Sequence, residues 1–576
     1  MVTGRLAPEA YSVRRRSGFL REIAAIAALS LIAVFYITLC MDRSIPVYDE
    51  GLIVVGATRV ADGAIPHRDF YFLYGPGQIY VLAGLFKVFG ASLLVERAWD
   101  TLVRCCIVVL VMIVVRQAAP RWLAILTAAV SMVWLASLGY CGYPVFPALA
   151  AALAGLAFLA PTLGRVGPVS RLVAGGMCAG VAMLFRYDIG AATFAVYVVI
   201  LAFSGWFQRV DRARRYRIAF LSVFWFGAGF AILVVPVAAA YAFYGVIPDL
   251  AFQVVAFPAR YYAKTRSLPF PRLWVLRAHP AQFIGIYLPL FLCAACVPTL
   301  VVLARSRRKD NDAAAAGPRL SAWVALPWTL LLLIVVTLVF YGKGVVRVSL
   351  LHLAMPLVSS LAMAGILAQP IPGRGLVGRF MVVAGVVGIA FVTLSALQTD
   401  LQHASENVAW ASDPAAWQLA PTAIPPTSGS CRVPTGFERM ACFPMSAETI
   451  ETVRYVQQRT GPTDPVFVGL PRHDSVFVDD VMLYFAMNRT PATKWYQFDP
   501  GLQTSAPIQQ AMVDELQRAK PKLIVIDATW LDYREQNDSA LSSGVTLLDD
   551  YLVRAFEPVA TFGAKTILRP RSPAPP

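Results

Sequence analysis

The chain contains eleven apolar segments, most of them close to the length needed to cross a lipid bilayer as a helix. Such a helix takes roughly 20 mostly apolar residues. The composition agrees, because 58% of the residues are hydrophobic and 15% are charged, whereas a soluble chain carries about 25% charged residues. The segments are 23–40, 98–115, 122–138, 145–161, 172–185, 189–207, 218–246, 282–304, 321–341, 349–368 and 380–397. We therefore predict a polytopic α-helical membrane protein with about 11 transmembrane helices.

Two places along this pattern are irregular. The segments 172–185 and 189–207 are separated only by Arg186, Tyr187 and Asp188, so the chain must change direction there within very few residues. The stretch 77–89 is apolar but shorter than the others, and we expect it to form a helix at the membrane surface.

The net charge of +16 comes mostly from basic residues in short loops between the apolar segments. These clusters fall on alternate loops, near 14–21, 116–121, 165–171, 209–217, 305–309 and 374–379. Alternation of this kind marks the cytoplasmic side of a membrane and does not indicate nucleic-acid binding. We predict a multi-pass protein of the bacterial inner (cell) membrane, with a cytoplasmic N-terminus and a periplasmic or extracellular C-terminal domain.

The composition changes after residue 397, which predicts three parts: a transmembrane domain (1–397), a linker (398–445) and an extracytoplasmic α/β domain (446–576). In the last part, helical patterns over 448–459 and 508–519 alternate with short β-branched runs over 465–469 and 523–526. Cys431 and Cys442 lie on the oxidising side, where a disulfide would close a short loop. Cys293 and Cys296 lie inside an apolar run and are predicted to pack in the core.

The loop after the first apolar segment is unusually rich in polar residues. It begins with Tyr48-Asp49-Glu50-Gly51, continues through Gly63 to Tyr71 with a second acid, Asp69, and reaches Tyr74-Gly75-Pro76-Gly77-Gln78. Two adjacent carboxylates beside a membrane are costly and need a partner or a function.

An acidic pair after the first span, followed by a second acid and a Pro-Gly element, resembles the GT-C class of membrane glycosyltransferases. Within that class the likeness is to the protein-mannosyltransferase-like and aminoarabinose-transferase-like (glycosyltransferase family 39-like) group, over roughly residues 20–400. The resemblance implies a GT-C-like fold and an inverting glycosyltransferase. Such an enzyme moves a sugar from a polyprenyl-phosphate donor to an acceptor hydroxyl on the outer face of the membrane. Where aminoarabinose-transferase-like members carry Lys-Pro-Pro, this chain has Gly-Pro-Gly.

This chemistry needs a base for the acceptor hydroxyl, cationic groups for the departing phosphate, and alignment of both substrates. Asp49 is our candidate for the base, because partial desolvation at a membrane surface raises a carboxylate's pKa. Glu50 is a second catalytic candidate. Acids are also favoured at helix N-termini, so both residues would equally suit the start of a helix near Leu52.

The other candidates are predicted to bind substrates, with Arg347 as first choice for the leaving phosphate. Each also has a purely structural reading, such as a loop ion pair, a turn, or a histidine held between helices. The substrate-binding candidates are His67, Arg68, Asp69, Tyr74, Gln78, Arg186, Asp188, Arg260, Lys264, Lys343, Arg347 and His352. Arg260 and Lys264 belong to a basic, aromatic loop that also contains Tyr262 and Arg266.

Several features of the function stay open. The sequence has no phosphate-cradling glycine loop and no zinc-ligand spacing, although paired acids would permit a divalent metal. The alternative function is a polysaccharide or lipid transporter, or a membrane protein of the O-antigen-ligase type. The expected partners are a polyprenyl-phosphate sugar, membrane lipid and a glycan, lipid or protein acceptor, with no nucleic acid. The transferred sugar is not readable.

Overall fold

The computed structural model describes residues 8–140, 142–163, 167–206, 211–272, 275–309, 319–411, 436–441, 443–476 and 478–572. Cys431 and Cys442 lie outside the described residues, so their predicted disulfide stays a prediction.

The membrane part of the chain is a helical bundle, and each of the eleven apolar segments overlaps one of its helices. The helices are α1 (Pro8–Leu39), α2 (Asp49–Ala61), α3 (Gly77–Phe89), α4 (Leu93–Arg116), α5 (Arg121–Ser137), α6 (Val145–Leu159), α7 (Val169–Phe185), α8 (Tyr187–Trp206), α9 (Arg212–Phe243), α10 (Ile247–Leu250), α11 (Ala263–Arg266), α12 (Val275–Ala278), α13 (Pro280–Lys309), α14 (Arg319–Gly344), α15 (Ala354–Leu367) and α16 (Leu376–Ala411).

Eight helices in the described part of the chain are long and apolar enough to span a membrane: Leu20–Leu39, Leu93–Arg116, Val145–Thr162, Tyr187–Trp206, Arg212–Phe243, Pro280–Arg305, Leu326–Arg347 and Leu376–Val408. Four shorter apolar helices, α3, α5, α7 and α15, lie among them. The chain is therefore a polytopic α-helical membrane protein, while the count of about 11 transmembrane helices stays a prediction.

Burial separates the inner helices of the bundle from the outer ones. Every residue of α15 is buried, and α4 and α6 are buried along most of their length. In contrast, α9 and α16 expose large apolar side chains, including Phe243 and Leu376, each 84% exposed. Apolar surface on this scale is stable only against lipid, which is what a membrane bundle provides.

The chain bends sharply between α7 and α8, as the closely spaced segments predicted. Arg186 adopts an extended backbone conformation, with φ −143° and ψ 109°, and ends α7. The Gly75–Gly77 turn packs against this end, and a Cβ atom on Gly75 would collide with the Leu184 carbonyl. The glycines therefore let the Tyr74 loop reach the bend between the two helices.

The C-terminal part is a small α/β domain with a four-stranded sheet. Its elements are α17 (Ala447–Arg459), β1 (Phe467–Gly469), α18 (Met482–Met487), α19 (Ala506–Ala519), β2 (Ile524–Asp527), α20 (Leu547–Ala555), β3 (Phe556–Phe562) and β4 (Lys565–Pro570). The strand order is β1-β2-β4-β3, with β1 parallel to β2 and the other pairs antiparallel. Val468 pairs with Val525, which in turn pairs with Ile567. Upstream of the domain, α16 continues to Ala411, so residues 398–411 of the predicted linker are helical.

This domain packs directly on the polar loop that follows α1. The Met482 amide donates a hydrogen bond of 3.0 Å to the Val47 carbonyl, and the Tyr71 amide donates one of 3.0 Å to the Lys494 carbonyl. The approach is closest at Gly51, where a Cβ atom would lie 2.6 Å from the Met482 nitrogen. A glycine is therefore required where α2 meets α18.

We predict that Gly51→Ala weakens the attachment of the C-terminal domain and lowers the thermal midpoint of the protein in detergent. Overpacking of this kind costs about 1–3 kcal/mol. Gly84→Ala in α3 is the control, because its added methyl group meets open space. Glycine within a helix is about 0.5–1 kcal/mol less favourable than alanine, so the control midpoint is unchanged or slightly raised. Equal midpoints for the two variants would contradict the close packing.

Candidate active site

The two acids at the start of α2 point in different directions. Consecutive helical residues are about 100° apart around the axis, since a turn takes about 3.6 residues. Glu50 faces inward and forms an ion pair with Arg97 of α4, with Nε–Oε1 and Nη2–Oε2 distances of 2.5 and 2.8 Å. Both side chains are at most 1% exposed. Arg97 also donates to the Asp42 and Ser44 carbonyls. Glu50 therefore fastens the loop and the helix start to the bundle.

Asp49 has the opposite environment from Glu50. Its side chain is exposed to solvent, and within the described part of the chain its carboxylate makes no hydrogen bond or ion pair. Protein nevertheless surrounds it closely, and this burial raises its pKa above the ordinary value, although Arg266 and Arg347 act in the opposite direction. Solvent access together with strong desolvation describes a carboxylate in a recess, available to a ligand.

The two arginines near Asp49 lie at helix ends of the bundle, and each is paired with a carboxylate of the C-terminal domain. Arg266 is the last residue of α11, and Arg347 ends the turn that follows α14. Arg266 Nη2 lies 3.2 Å from Asp499 Oδ1. Arg347 forms a bidentate pair with Glu535, at 2.5 and 3.0 Å, and also donates to the Arg266 carbonyl. Glu535 lies 3.7 Å from Arg266 as well. The C-terminal domain therefore supplies the counter-charges of a basic cluster that belongs to the bundle.

Glu535 is held in its charged form by this arrangement. Burial alone would raise its pKa, but hydrogen bonds from Arg347 and Asn537 lower the pKa to about 2. At neutral pH Glu535 is therefore an anion lying on the Arg347 guanidinium.

A second group of side chains gathers at the bend between α7 and α8. The Arg186 guanidinium lies 4.7 Å from the centre of the Tyr74 ring and 5.4 Å from that of Tyr143. It forms two 3.1 Å bonds with Asp188, which also pairs with Lys343 of α14. Arg186 Nη1 is buried and makes no well-formed hydrogen bond among the described residues, although the Tyr143 hydroxyl lies near the guanidinium. This nitrogen is a hydrogen-bond donor available to a bound anion.

The loop before α15 brings His352 to the same place. Its Nδ1 lies 2.7 Å from Ser349 Oγ, and its ring centre lies 6.1 Å from that of Tyr143. Burial, followed by the charges of Arg347, Arg186 and Lys343, lowers the His352 pKa to about 4. His352 is therefore neutral at physiological pH, beside the Arg347, Arg186 and Lys343 side chains.

The second polar group of the first loop is occupied by its own contacts. His67 is buried, its Nδ1 lies 3.1 Å from Gln253 Oε1, and burial lowers its pKa to about 4. Arg68 and Asp69 form an ion pair of 2.8 Å with each other in a partly exposed position. The described contacts of these three residues explain the shape of the loop and do not lead to Asp49.

The described contacts of the remaining candidates do not include Asp49. The buried Gln78 side chain donates to the Gly142 carbonyl at 2.9 Å and accepts from Trp99 at 3.2 Å. Arg260 is exposed. Lys264 lies in α11, and its side chain is outside the described part of the structure. Their substrate-binding roles stay predictions.

Four residues of the site were not selected from the sequence. Arg266 had a signal, because it lies in the basic, aromatic loop that was noted. Tyr143 follows a glycine and precedes a proline between two apolar segments, a weak signal at most. Asp499 and Glu535 had none, because they lie in the C-terminal domain far along the chain. As for metals, the described residues contain no group of three or more His, Cys, Asp or Glu side chains placed to hold an ion, and metal dependence stays open.

Comparison with known proteins identifies the fold. No family model and no curated protein matches the chain. Among solved structures, ArnT from Cupriavidus metallidurans bound to undecaprenyl phosphate is 15% identical, with 95% of this chain and 97% of ArnT covered and a TM-score of 0.51. ArnT in the apo state is 14% identical, with 96% of this chain and 98% of ArnT covered and a TM-score of 0.47. The archaeal oligosaccharyltransferase AglB from Archaeoglobus fulgidus is 10% identical, with 88% of this chain and 70% of AglB covered and a TM-score of 0.47. The likeness to undecaprenyl-phosphate-bound ArnT confirms the GT-C fold.

We predict that Glu50→Gln destabilises the protein while Asp49→Asn does not. Removing one partner of a buried ion pair costs about 3–5 kcal/mol, because the other charge stays buried. The lower end applies here, because Glu96 Oε2 lies 3.5 Å from Arg97 Nε and remains as a second partner. Asp49 has no such partner within the described residues, so its replacement leaves the thermal midpoint unchanged or raises it. Thermal unfolding of the two isosteric variants in the same detergent measures the difference. A stable Glu50→Gln beside an unfolded Asp49→Asn would reverse the assignment of the two acids.

Proposed function

We propose that this protein is an inverting glycosyltransferase that uses a polyprenyl-phosphate-linked sugar. The acceptor hydroxyl attacks the anomeric carbon in one displacement, the bond from that carbon to the phosphate oxygen breaks, and the hydroxyl proton passes to Asp49. The observation that carries the proposal is the state of Asp49: a solvent-accessible carboxylate, without a partner among the described residues, beside two arginines.

The environment of Asp49 suits a general base. A base works best when its pKa lies nearer the working pH than that of an ordinary carboxylate. Burial raises the pKa of Asp49 in this direction. Glu50 cannot share this role in the same way, because Arg97 occupies both of its oxygens. We therefore assign the base to Asp49 alone and give Glu50 a positioning role.

The cationic groups around Asp49 suit the leaving phosphate. Arg266 and Arg347 belong to the bundle, and their charges reach Asp49 strongly enough to act on its pKa. Arg186 adds a buried guanidinium nitrogen that makes no well-formed hydrogen bond among the described residues. Lys343 forms an ion pair with Asp188, the same carboxylate that binds Arg186. Preorganised positive groups of this kind stabilise the charge that develops on a departing phosphate.

The likeness in fold supports a lipid-linked donor. ArnT was solved with undecaprenyl phosphate and matches this chain over nearly its whole length. We propose that the donor's polyprenyl tail lies against the apolar outside of the bundle, with its phosphate at the arginines. The active site would then face the outer side of a bacterial inner membrane, with the acceptor a hydroxyl of a glycan, lipid or protein.

We predict that Asp49→Asn slows sugar transfer strongly without unfolding the protein. Purified protein in nanodiscs is incubated with a panel of polyprenyl-phosphate sugars and a membrane extract, and released polyprenyl phosphate is quantified. Loss of a general base typically costs about 10²–10⁴-fold in rate. Asp62→Asn is the matched control, because Asp62 lies at the opposite end of the same helix and should leave transfer unchanged. Transfer by Asp49→Asn at a rate close to that of the wild type would remove Asp49 as the base.

We also predict the pH dependence of transfer. Asp49 acts as a base only when deprotonated, so kcat/KM rises with pH through its pKa. Because that pKa is raised, the acidic limb lies above the ordinary range of aspartate, which is about 3.9. The measurement is kcat/KM against pH for the wild type and for the residual activity of Asp49→Asn, which should lack the limb. A limb at the ordinary value, or one that persists in the variant, would contradict the assignment.

A further inference from the structure

The segment from Ala528 to Thr546, which joins β2 to α20, is a long and mostly exposed loop that contains one short 3-10 helix, Asp538–Ala540. Loops of this length in a compact domain are uncommon and are often functional. This one carries Glu535, which reaches out of the C-terminal domain to the bundle. Few contacts of the described residues tie Glu535 to its own domain, the main one being the 2.8 Å hydrogen bond from Asn537.

The contact between Glu535 and Arg347 has the geometry of an anion-binding site that is already filled. Two guanidinium nitrogens of Arg347 bind the two carboxylate oxygens. The same forked geometry binds a phosphate. Arg266 lies 3.7 Å from the same carboxylate. Glu535 therefore contacts both Arg266 and Arg347, the two arginines whose charges lower the pKa of Asp49.

The space beside Glu535 is too small for a phosphate. The recess lined by Arg266, Tyr533, Glu535 and Ser539 has a volume of about 20 Å³. This volume is close to that needed for one water molecule. The recess lies on the Arg266 side of Glu535 and offers a phosphate no room there. A phosphate that takes the two Arg347 nitrogens must replace Glu535, because its carboxylate occupies both of them.

We propose that Glu535 is an internal competitor for the donor phosphate, an inference that rests on the function proposed above. In the donor-free protein its carboxylate occupies Arg347. The donor phosphate displaces it, and the β2–α20 loop moves away with it. After transfer, Glu535 returns to Arg347 and favours release of the polyprenyl phosphate product.

The neighbouring carboxylate is not suited to the same role. Asp499 is 3% exposed at its side chain and accepts a hydrogen bond of 2.9 Å from the Tyr71 hydroxyl. Its backbone amide is also held by Gln503. Asp499 is therefore a fixed partner that keeps Arg266 in place, while Glu535 is the exchangeable one.

Competition of this kind reduces the apparent affinity for the ligand, because only the fraction of molecules with Arg347 vacated can bind. The test measures binding of undecaprenyl phosphate, used as the probe, to the full-length protein in nanodiscs. We expect Glu535→Gln to bind it about tenfold more tightly than the wild type, within the usual range of such couplings. The same variant should release the product more slowly after transfer.

Two controls separate displacement from a general change in charge. Asp532→Asn removes an acid from the same exposed loop, and Asp532 has no described ion pair, so its affinity should equal that of the wild type. In an Arg347→Gln background, Glu535→Gln should bring no gain, because the competed cation is missing. An equal gain from Asp532→Asn, or a gain that persists without Arg347, would overturn the inference.

The inference and the proposed function fail in distinguishable ways. If Glu535→Gln binds undecaprenyl phosphate no more tightly than the wild type, while Asp49-dependent transfer is observed, the competitor role is wrong and the glycosyltransferase stands. If Glu535→Gln binds more tightly but no sugar donor is ever turned over, the anion site stands and the transfer reaction is wrong. If neither the wild type nor Glu535→Gln binds the probe, the competitor role is wrong regardless of the reaction.

Discussion

The buried ion pair between Glu50 and Arg97 is the contact on which the site depends. Arg97 is held inside the bundle, and through Glu50 it fixes the position at which α2 begins. Because neighbouring helical residues face different directions, anchoring Glu50 inward leaves Asp49 exposed to solvent. The costly burial of two charges is therefore explained by what it positions, a single carboxylate without a partner in the described structure. Under the proposed function, Glu50 provides the geometry and Asp49 is the base.

The C-terminal domain completes this arrangement from the other side. Positive side chains near a membrane are expensive unless they are paired, and the carboxylates of Asp499 and Glu535 neutralise Arg266 and Arg347. The domain is consequently part of the site and not an appendage joined by a linker. Gly51 permits this, because only a residue without a side chain allows α18 so close to α2.

The sequence predicted what depends on local pattern and missed what depends on docking. Apolar length predicted the helical bundle, and the short Arg186–Asp188 interval predicted the bend that brings Arg186 to the site. The position of Glu50 next to Asp49 in the sequence could not show that Glu50 pairs with Arg97, which precedes the apolar segment 98–115. The roles of Asp499 and Glu535 could not be predicted, because no pattern along a chain shows which face of a soluble domain packs against the membrane bundle.

The most direct test of this account is cryo-electron microscopy of the full-length protein with undecaprenyl phosphate. The account predicts phosphate density within hydrogen-bonding distance of the Arg347 guanidinium, the Glu535 side chain moved away, and Asp49 close enough for a sugar to fit between it and the phosphate. Phosphate density elsewhere in the bundle, with the Arg347–Glu535 pair intact and Asp49 remote from it, would contradict the central claim that Asp49 and the two arginines form one transfer site.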